Sequence, residues 1–515
     1  MRKTKIMASL LILSAMLLPC LASCADPGET IIETGATSAG AASDPALGVV
    51  RISTAAEFLA MKADGNCCLD ADLSLTASYG ATFTGTLDGN GHTVTVSGVP
   101  VFADLGKAVI KNLTVEGRID CDTDAGALAA SCSADCSDDP AGYAVIENCV
   151  NRASVTMTVP DTAEKESWWG VGGFIGKSSA NCGAMFSGCV NEGAVTVKCG
   201  KDERYRFYAG GFAGICDTFL ARNCENRADV KFDGDYANCL SQDGCAGFVG
   251  RVAMTAGANY CNIEYCVNNG NVRGGHQAGG FLAYSGINNT CRYDSGNTPY
   301  RFFANINNGD IEGKLYAGGI AGFCYGSGGT DIQTVDIEFN LVGGRISSDQ
   351  WCSPFIAYSN SVKNIIMYNV STAGLAKRTA DAADFMFVFL GCSSVDYRLD
   401  TAVRDNYIVD DAGAVRYLTY ATPDAHENNR IEIAWGIENN YVTVVSADKL
   451  ATGEIAYRIN EAAGTDGFRQ TIGKDPAPTP SRGSSSVAFS DGRYLNTETP
   501  VFPVPGYYDV GQDLP

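Results

Sequence analysis

The sequence predicts a mainly β fold, a parallel β-helix or solenoid, and three observations carry that expectation. Two short patterns alternate through the middle of the chain, Cys-x-Asn and Gly-Gly followed by an aromatic or aliphatic residue. Successive copies lie 33 to 42 residues apart, so the irregularity falls in loops while the strands stay constant. No segment there offers the sustained apolar stripe of a helix; the apolar positions alternate over four to six residues, as in strands with one buried face. A unit of three such strands cannot bury its own apolar face. It must stack on copies of itself, each strand pairing in parallel with its equivalent about 4.8 Å away.

The first pattern appears as Cys149-Val150-Asn151, Cys189-Val190-Asn191, Cys224-Glu225-Asn226 and Cys266-Val267-Asn268, then degenerates to Asn305-Ile306-Asn307. The second appears as Gly172-Gly173-Phe174, Gly210-Gly211-Phe212, Gly247-Phe248, Gly279-Gly280-Phe281 and Gly318-Gly319-Ile320, fading at Pro354-Phe355. Each unit reads as a strand ending near Cys-x-Asn, a second around the following Val or Ile, and a third through Gly-Gly-Phe. Glycine suits sharp corners that need positive φ, and asparagine hydrogen-bonds local backbone at turns.

Composition narrows the partners. The chain has 515 residues, with 58 acidic against 37 basic side chains and a formal net charge of -21. That balance argues against nucleic acid as a partner and against polyanionic substrates. A hydrophobic content of 45% with 18% charged residues fits a folded protein, and 59 glycines favour turns over long helices.

Taken in order, residues 1–23 have the basic start and short apolar run of a secretory signal, with Arg2, Lys3 and Lys5 ahead of Ile6 to Leu18. Leu21-Ala22-Ser23-Cys24 resembles the lipobox of bacterial lipoproteins. The resemblance implies diacylglyceryl transfer to the Cys24 sulfur and a mature chain beginning there, held in the membrane by its acyl chains. Loss of three basic residues takes the charge from -21 to -24. Residues 24–48 read as a flexible tether. Within the expected β-helix of residues 49–375, Thr54-Ala55-Ala56-Glu57 is a capping box that opens a short helix with Phe58, Leu59 and Met61 as its apolar residues, an N-terminal cap for the solenoid. Residues 376–475 read as a smaller α+β region. Antiparallel strands are expected at Phe385–Leu390, Val415–Tyr420 and Tyr441–Val445, then a helix with Thr452 as N-cap and Ile455, Ala456 and Ile459 inside. Residues 476–515 read as an extended Pro/Ser-rich tail.

The units Ile146-Glu147-Asn148-Cys149-Val150-Asn151 and Val171-Gly172-Gly173-Phe174-Ile175-Gly176 resemble the GLUG-type repeats of bacterial surface proteins. The opening Phe83-Thr84-Gly85-Thr86-Leu87-Asp88-Gly89-Asn90-Gly91-His92 resembles the first coil of such right-handed β-helices. Gly453 to Asn460 with Gln470 to Pro476 resembles a tail that follows these repeats in surface proteins of gut bacteria. The repeat resemblance, over roughly residues 50–375, implies a cell-surface protein of an adhesive or binding kind; together with the lipobox, the expectation is a lipid-anchored protein of the bacterial cell envelope, facing outside the cytoplasm. It supplies no catalytic residues.

Chemistry is sparse. Of 21 cysteines, Cys20 leaves with the signal and Cys24 is acylated, leaving an odd 19. Cys149, Cys189, Cys224 and Cys266 share one phase of the repeat and should stack as a mainly reduced ladder inside the coil; Cys132 with Cys136, and Cys239 with Cys245, are the loop pairs that could bridge. His92, His276 and His426 lie far apart, there is no Cys-x-x-Cys, and no hydrolase or P-loop motif occurs, so no metal, cofactor or catalytic residue is assigned. Three long loops carry Trp168 and Trp169, then Tyr205, Phe207 and Tyr208, then Tyr236, which stacking should bring out on one side of the rod. Aromatic faces accept sugar C–H surfaces, and Glu164, Glu166, Asp202, Glu203, Asp233 and Asp243 could bind sugar hydroxyls or calcium. The leading expectation is a surface binding module for a glycan or host protein. The alternatives are a polysaccharide lyase or glycoside hydrolase using loop carboxylates, and a structural spacer of the envelope.

Overall fold

The computed structural model describes residues 48–136, 142–159, 168–199, 206–236, 243–254, 261–287, 300–326, 333–360, 362–380, 403–410, 417–420, 430–432, 442–481, 487–490 and 493–496. Apart from Gly48 these belong to one unit, Val49–Tyr293 with Thr298–Pro515, and that unit is a parallel β-helix. One turn runs through strands Gly183–Ser187, Val190–Asn191, Val195–Lys198, Arg206–Gly210 and Ala213–Ile215, and the next opens with Thr218–Arg222. Four faces result. Face 1 holds the strands that precede Cys-x-Asn, twelve of them among the described residues; face 2 holds the two short ladders that follow. Among the described residues, face 3 holds seven strands that enter the Gly-Gly motif, and face 4 nine, most of which leave it. Gly-Gly-Phe is therefore a bend between two strands, as where Trp168–Gly172 ends and Ile175–Ser178 begins, rather than the middle of a third strand.

The interior is built from columns of equivalent residues. Phe174, Phe212, Phe248 and Phe281 are fully buried, with successive ring centroids 5.2, 4.7 and 5.1 Å apart. Ile320 and Phe355 continue the column where the Gly-Gly pattern fades, because the core position outlasts the corner glycines.

A buried asparagine ladder runs beside it. Asn151, Asn191, Asn226, Asn268 and Asn307 share one register. Each Nδ2 of the first four donates to the Oδ1 of the next at 2.8 Å. The same nitrogens donate locally to the carbonyls of Ala153, Gly193, Ala228 and Gly270. These amides therefore spend both N–H groups, which removes the desolvation cost of burying them.

The ladder also explains the second glycine of each pair. A Cβ on Gly211 would sit 2.1 Å from Gly247 O and 2.5 Å from Asn226 Oδ1; one on Gly173 would sit 2.0 Å from Gly211 O and 2.5 Å from Asn191 Oδ1. None of these glycines has positive φ. The expectation of a φ-driven corner is corrected: they are glycine because the backbone carbonyl of the next coil's bend and the asparagine side chain beside it fill the space.

Positive φ falls elsewhere, on the residue before Cys-x-Asn. Asn112, Asn148, Gly188, Asn223, Tyr265, Ala304, Phe339 and Tyr368 all lie between 50° and 61°. At the following residue, Cys149, Cys189 and Cys224 accept at sulfur or donate from N–H in a chain: Cys149 N donates to Cys189 Sγ at 3.5 Å, Cys189 N to Cys224 Sγ at 3.4 Å and Cys224 N to Cys266 Sγ at 3.4 Å. The chain does not end at the last cysteine. Cys266 N donates to Asn305 Oδ1 at 2.9 Å, Asn305 N to Asn340 Oδ1 at 2.9 Å and Asn340 N to Asn369 Oδ1 at 2.9 Å. Asn305 is thus no degenerate copy; amide oxygen takes over the acceptor role of sulfur. The described cysteines are unbridged, Cys132 and Cys136 included, while Cys239 lies outside the described residues. Burial pushes the thiols of Cys149, Cys189 and Cys224 well above their ordinary range.

At the N-terminal end, Thr54 and Glu57 make the reciprocal capping box of helix Ala55–Leu59. Phe58 and Met61 are buried, but Leu59 is 40% exposed, because a helix of five residues has room for one inward stripe only. Beyond residue 377 the solenoid continues: Val403–Arg404, Asn406–Val409 and Val442–Val445 all pair in parallel, which corrects the antiparallel reading of the last. Tyr417–Tyr420 does pair antiparallel, with Arg430–Glu432; Phe385–Leu390 and the residues from 497 lie outside the described residues. Two helices follow, Ala447–Leu450 and Glu454–Ala463. Gly453, not Thr452, is the N-cap of the second, although Thr452 Oγ1 accepts the Glu454 N–H at 3.3 Å. Ile455, Ala456 and Ile459 are buried, as expected, in a second apolar cluster with Phe339, Tyr368 and Phe468. This packing holds Phe339 and Tyr368 in the left-handed region, which costs about 1–2 kcal/mol for a residue with a Cβ.

Two substitutions test this frame. Gly211→Ala forces a backbone carbonyl and a buried amide apart and should lower unfolding free energy by about 3 kcal/mol in denaturant titration. Cys224→Asn should leave stability within about 1 kcal/mol of wild type, whereas Cys224→Ala, which orphans the Cys189 N–H, should cost about 1–3 kcal/mol.

Candidate functional site

The outer side of the bend between faces 3 and 4 is a wedge lined by two columns of outward side chains. On face 3 the register passes through Gly170, Tyr208, Gly244, Gln277, Tyr316 and Trp351. On face 4 it passes through Lys177, Ile215, Arg251, Tyr284, Phe323 and Tyr358. The bend keeps the two strands close, since a Cβ on Gly172 would lie 2.1 Å from Ile175 O, and bulky groups fit only further out.

The expected aromatic face divides on inspection. Trp169 and Phe207 turn inward and pack on the core, with Phe207 stacked on Phe232 at 5.1 Å. Tyr208 is fully buried, covered by Trp168 at 5.7 Å and Tyr284 at 5.7 Å. Tyr236 is buried too. Its hydroxyl donates to Glu312 at 2.6 Å and accepts from Arg273 Nε at 3.1 Å, while the Arg273 and Arg378 guanidinium groups lie over its ring at 4.8 and 4.3 Å. Burial and the Glu312 carboxylate raise its pKa above the ordinary phenol range. Tyr236 therefore ties neighbouring coils together rather than offering a ring to a ligand. Trp168 is half-buried, with Arg251 and Arg206 over its ring at 3.8 and 4.9 Å. Tyr205 and Cys24 lie outside the described residues, as do Glu164, Glu166, Asp202 and Glu203. Asp233 is exposed, and Asp243 is fully buried, accepting the His276 N–H at 2.5 Å.

What the structure brings together lies a few coils further on, where the loops are short. Tyr284, Phe323 and Tyr358 stack in a column with centroids 5.3 and 4.7 Å apart. Tyr316 and Trp351 stack opposite them at 5.2 Å and 9°. Edge contacts cross the wedge, Tyr316 to Phe323 at 5.2 Å and Tyr316 to Tyr358 at 5.1 Å, with Trp351 tilted against Tyr358 at 5.5 Å. These five are half-buried, and Tyr325 beside them is 37% exposed, one of three exposed large hydrophobics among the described residues. Rings stacked along the coil axis turn their faces to each other, so the wedge shows solvent a row of ring edges and phenol groups at strand spacing. The signal was present in the sequence: each outer residue stands third after the motif's Phe or Ile, as in Phe281 to Tyr284 and Ile320 to Phe323, or second before its first glycine, as in Tyr316.

A second polar feature sits on face 1. Asp336 and Glu338 alternate with buried Val335 and Ile337 along strand Gln333–Glu338 and so share its outer side. Burial raises the pKa of both; the neighbouring Glu338 carboxylate adds to the rise at Asp336, which reaches about 7, while Arg301 opposes it. Among the described residues no group of three His, Cys, Asp or Glu side chains is placed to hold a metal ion, and no helix is long and apolar enough to cross a membrane.

No protein family, curated protein or solved structure matches the chain. The likeness to GLUG-type repeats and to a lipobox therefore stands on the quoted residues, while the parallel β-helix stands on the strand pairing.

Asp336 holds its proton more tightly in the folded chain than when unfolded, where a carboxyl titrates near 3.9. Its stabilising contribution is thus complete below about pH 4 and lost as the pH rises through about 7. Asp336→Asn should flatten that part of the profile and raise the unfolding midpoint at pH 8, read by thermal melts across pH 4 to 8.

Proposed function

We propose that this protein is an envelope-anchored binding module, held by a lipid on Cys24, that takes a glycan along the wedge between faces 3 and 4. The observation that carries the reading is the half-exposed aromatic set Tyr284, Tyr316, Phe323, Tyr325, Trp351 and Tyr358, gathered on one outer surface. Positively polarised ring edges beside phenol groups suit a ligand rich in oxygen acceptors and hydroxyls, which is the chemistry of a sugar. A rigid solenoid holds these groups at fixed spacing, so little order is lost when an extended ligand binds. The lipid anchor and tether are supported by residues 1–48 of the sequence, and a module so anchored would face outside the cytoplasm.

A second reading is favoured by Asp336 and Glu338. Glycoside hydrolysis uses one protonated and one ionised carboxyl, and a pair whose burial keeps a proton near neutral pH has that property. The pair lies on face 1, away from the aromatic wedge, which favours binding over cleavage as the primary role.

The test is a glycan array with the mature chain, followed by titration calorimetry on the best glycan. Trp351→Ala and Tyr358→Ala should each weaken binding about tenfold or more, with unchanged far-ultraviolet dichroism. Binding to a protein ligand with no response to any glycan would overturn the sugar reading. Release of new reducing ends by wild type but not by Asp336→Asn would instead establish the hydrolase.

A further inference from the structure

Among the described residues, Arg251 is the one cation on the wedge side of face 4 that sits among aromatic rings. Its guanidinium lies 3.8 Å from the Trp168 ring centre, 5.6 Å from that of Tyr208 and 5.7 Å from that of Tyr284. Three rings around one guanidinium fix its plane and direction, and rings do not use up its N–H groups. Among the described residues the Arg251 side chain makes no hydrogen bond or ion pair. Its Nε is buried without an acceptor, and so is the hydroxyl of the fully buried Tyr208 in the same cage. The nearby charges are otherwise engaged: Arg206 lies over the same Trp168 ring at 4.9 Å, and Lys177 Nζ donates to Trp168 O at 2.7 Å and pairs with Asp124 at 3.8 Å. Among the described residues no acceptor reaches the Arg251 side chain.

We infer that Arg251, caged by Trp168, Tyr208 and Tyr284, is a carboxylate subsite at one end of the aromatic wedge, and that the glycan taken there carries an acidic sugar. The inference rests on the glycan reading above and specifies its ligand. A guanidinium offers two parallel N–H donors to a carboxylate, a geometry that a neutral hydroxyl does not satisfy. The net charge of -21 opposes a densely anionic polymer at long range, so the ligand fitting both facts has spaced carboxylates on an otherwise neutral chain. The wedge residues Tyr284, Phe323 and Tyr358 continue from the cage along face 4, which gives the neutral sugars a track on the same side.

The test compares a uronic-acid-containing oligosaccharide with the same oligosaccharide after carboxyl reduction, on the full mature chain, by calorimetry at low and 0.5 M salt. Wild type should prefer the acidic form about tenfold, the size of one charge-assisted pair. In Arg251→Gln the ratio of the two affinities should fall to about one; in Arg251→Lys, which keeps the charge but not the fork, it should fall part of the way. Unfolding midpoints of the variants report whether the cage still forms. Equal affinity of wild type for both forms, or an acid preference that survives Arg251→Gln in a folded protein, overturns the carboxylate subsite. Failure of either form to bind wild type overturns the glycan reading itself.

Discussion

The structure depends on an interlock between two residues that are far apart in each coil. The buried amide of Asn191, Asn226, Asn268 or Asn307 projects from face 2 across the interior and meets the second glycine of the preceding coil's Gly-Gly bend. Neither partner works without the other. A side chain at Gly173, Gly211 or Gly280 would expel the amide, and loss of the amide would leave a void beside a carbonyl and two unsatisfied partners in the ladder. This cross-coil contact is why the two motifs alternate with such regularity, and why the glycines need no unusual backbone conformation. Where Val342 replaces the asparagine, its methyl group takes up the space beside Gly319, and the Gly-Gly pattern fades one coil later at Ser353-Pro354.

A second constraint acts at the corner before each Cys-x-Asn. The chain turns there through the left-handed region, cheaply at Asn148, Gly188 and Asn223 and at a cost at Tyr265, Phe339 and Tyr368. Two of the costly positions, Phe339 and Tyr368, are buried where helix Glu454–Ala463 and Phe468 pack on the outside of the coil, and Tyr265 packs at the rim of the same apolar cluster. Apolar burial offsets backbone strain, so the C-terminal segment is part of what makes the later coils possible. The switch from cysteine to asparagine at Asn305 belongs to the same stretch. An amide oxygen accepts the N–H of the preceding coil at 2.9 Å where sulfur does so at 3.4 to 3.5 Å, a stronger bond in the half of the rod that carries more strain.

The wedge between faces 3 and 4 follows from the same bend. Glycines bring the two strands together so closely that nothing larger than hydrogen fits near the turn, and side chains one step further out must stack upon their equivalents in the coils above and below. Stacking gives the rings order and takes away their faces. A ligand therefore meets edges and phenol groups along the column, and a caged guanidinium at Arg251 where the column passes Trp168 and Tyr208. The aromatic residues of the long loops stabilise the coil instead: Phe207 fills it, and Tyr236 with Arg273 and Glu312 bolts successive turns together.

The sequence by itself determined the solenoid, the helix opened by the Thr54 capping box and the inward column of cysteines, because each coil repeats the same local requirement and periodicity is a local signal; the buried asparagine ladder, read as turn residues, it did not. It also placed Ile455, Ala456 and Ile459 on the buried side of a helix, a matter of spacing alone. It did not determine which aromatic residues stay accessible. Trp168, Trp169, Phe207, Tyr208 and Tyr236 looked equivalent in the chain, yet strand alternation sends Trp169 and Phe207 inward, and ion pairs from later coils cover Tyr236. Nor could it assign the continuation of the coil through Val442–Val445, whose partner strand lies more than thirty residues away. Exposure and long-range pairing depend on what neighbouring coils supply, and only the tertiary structure brings those coils together.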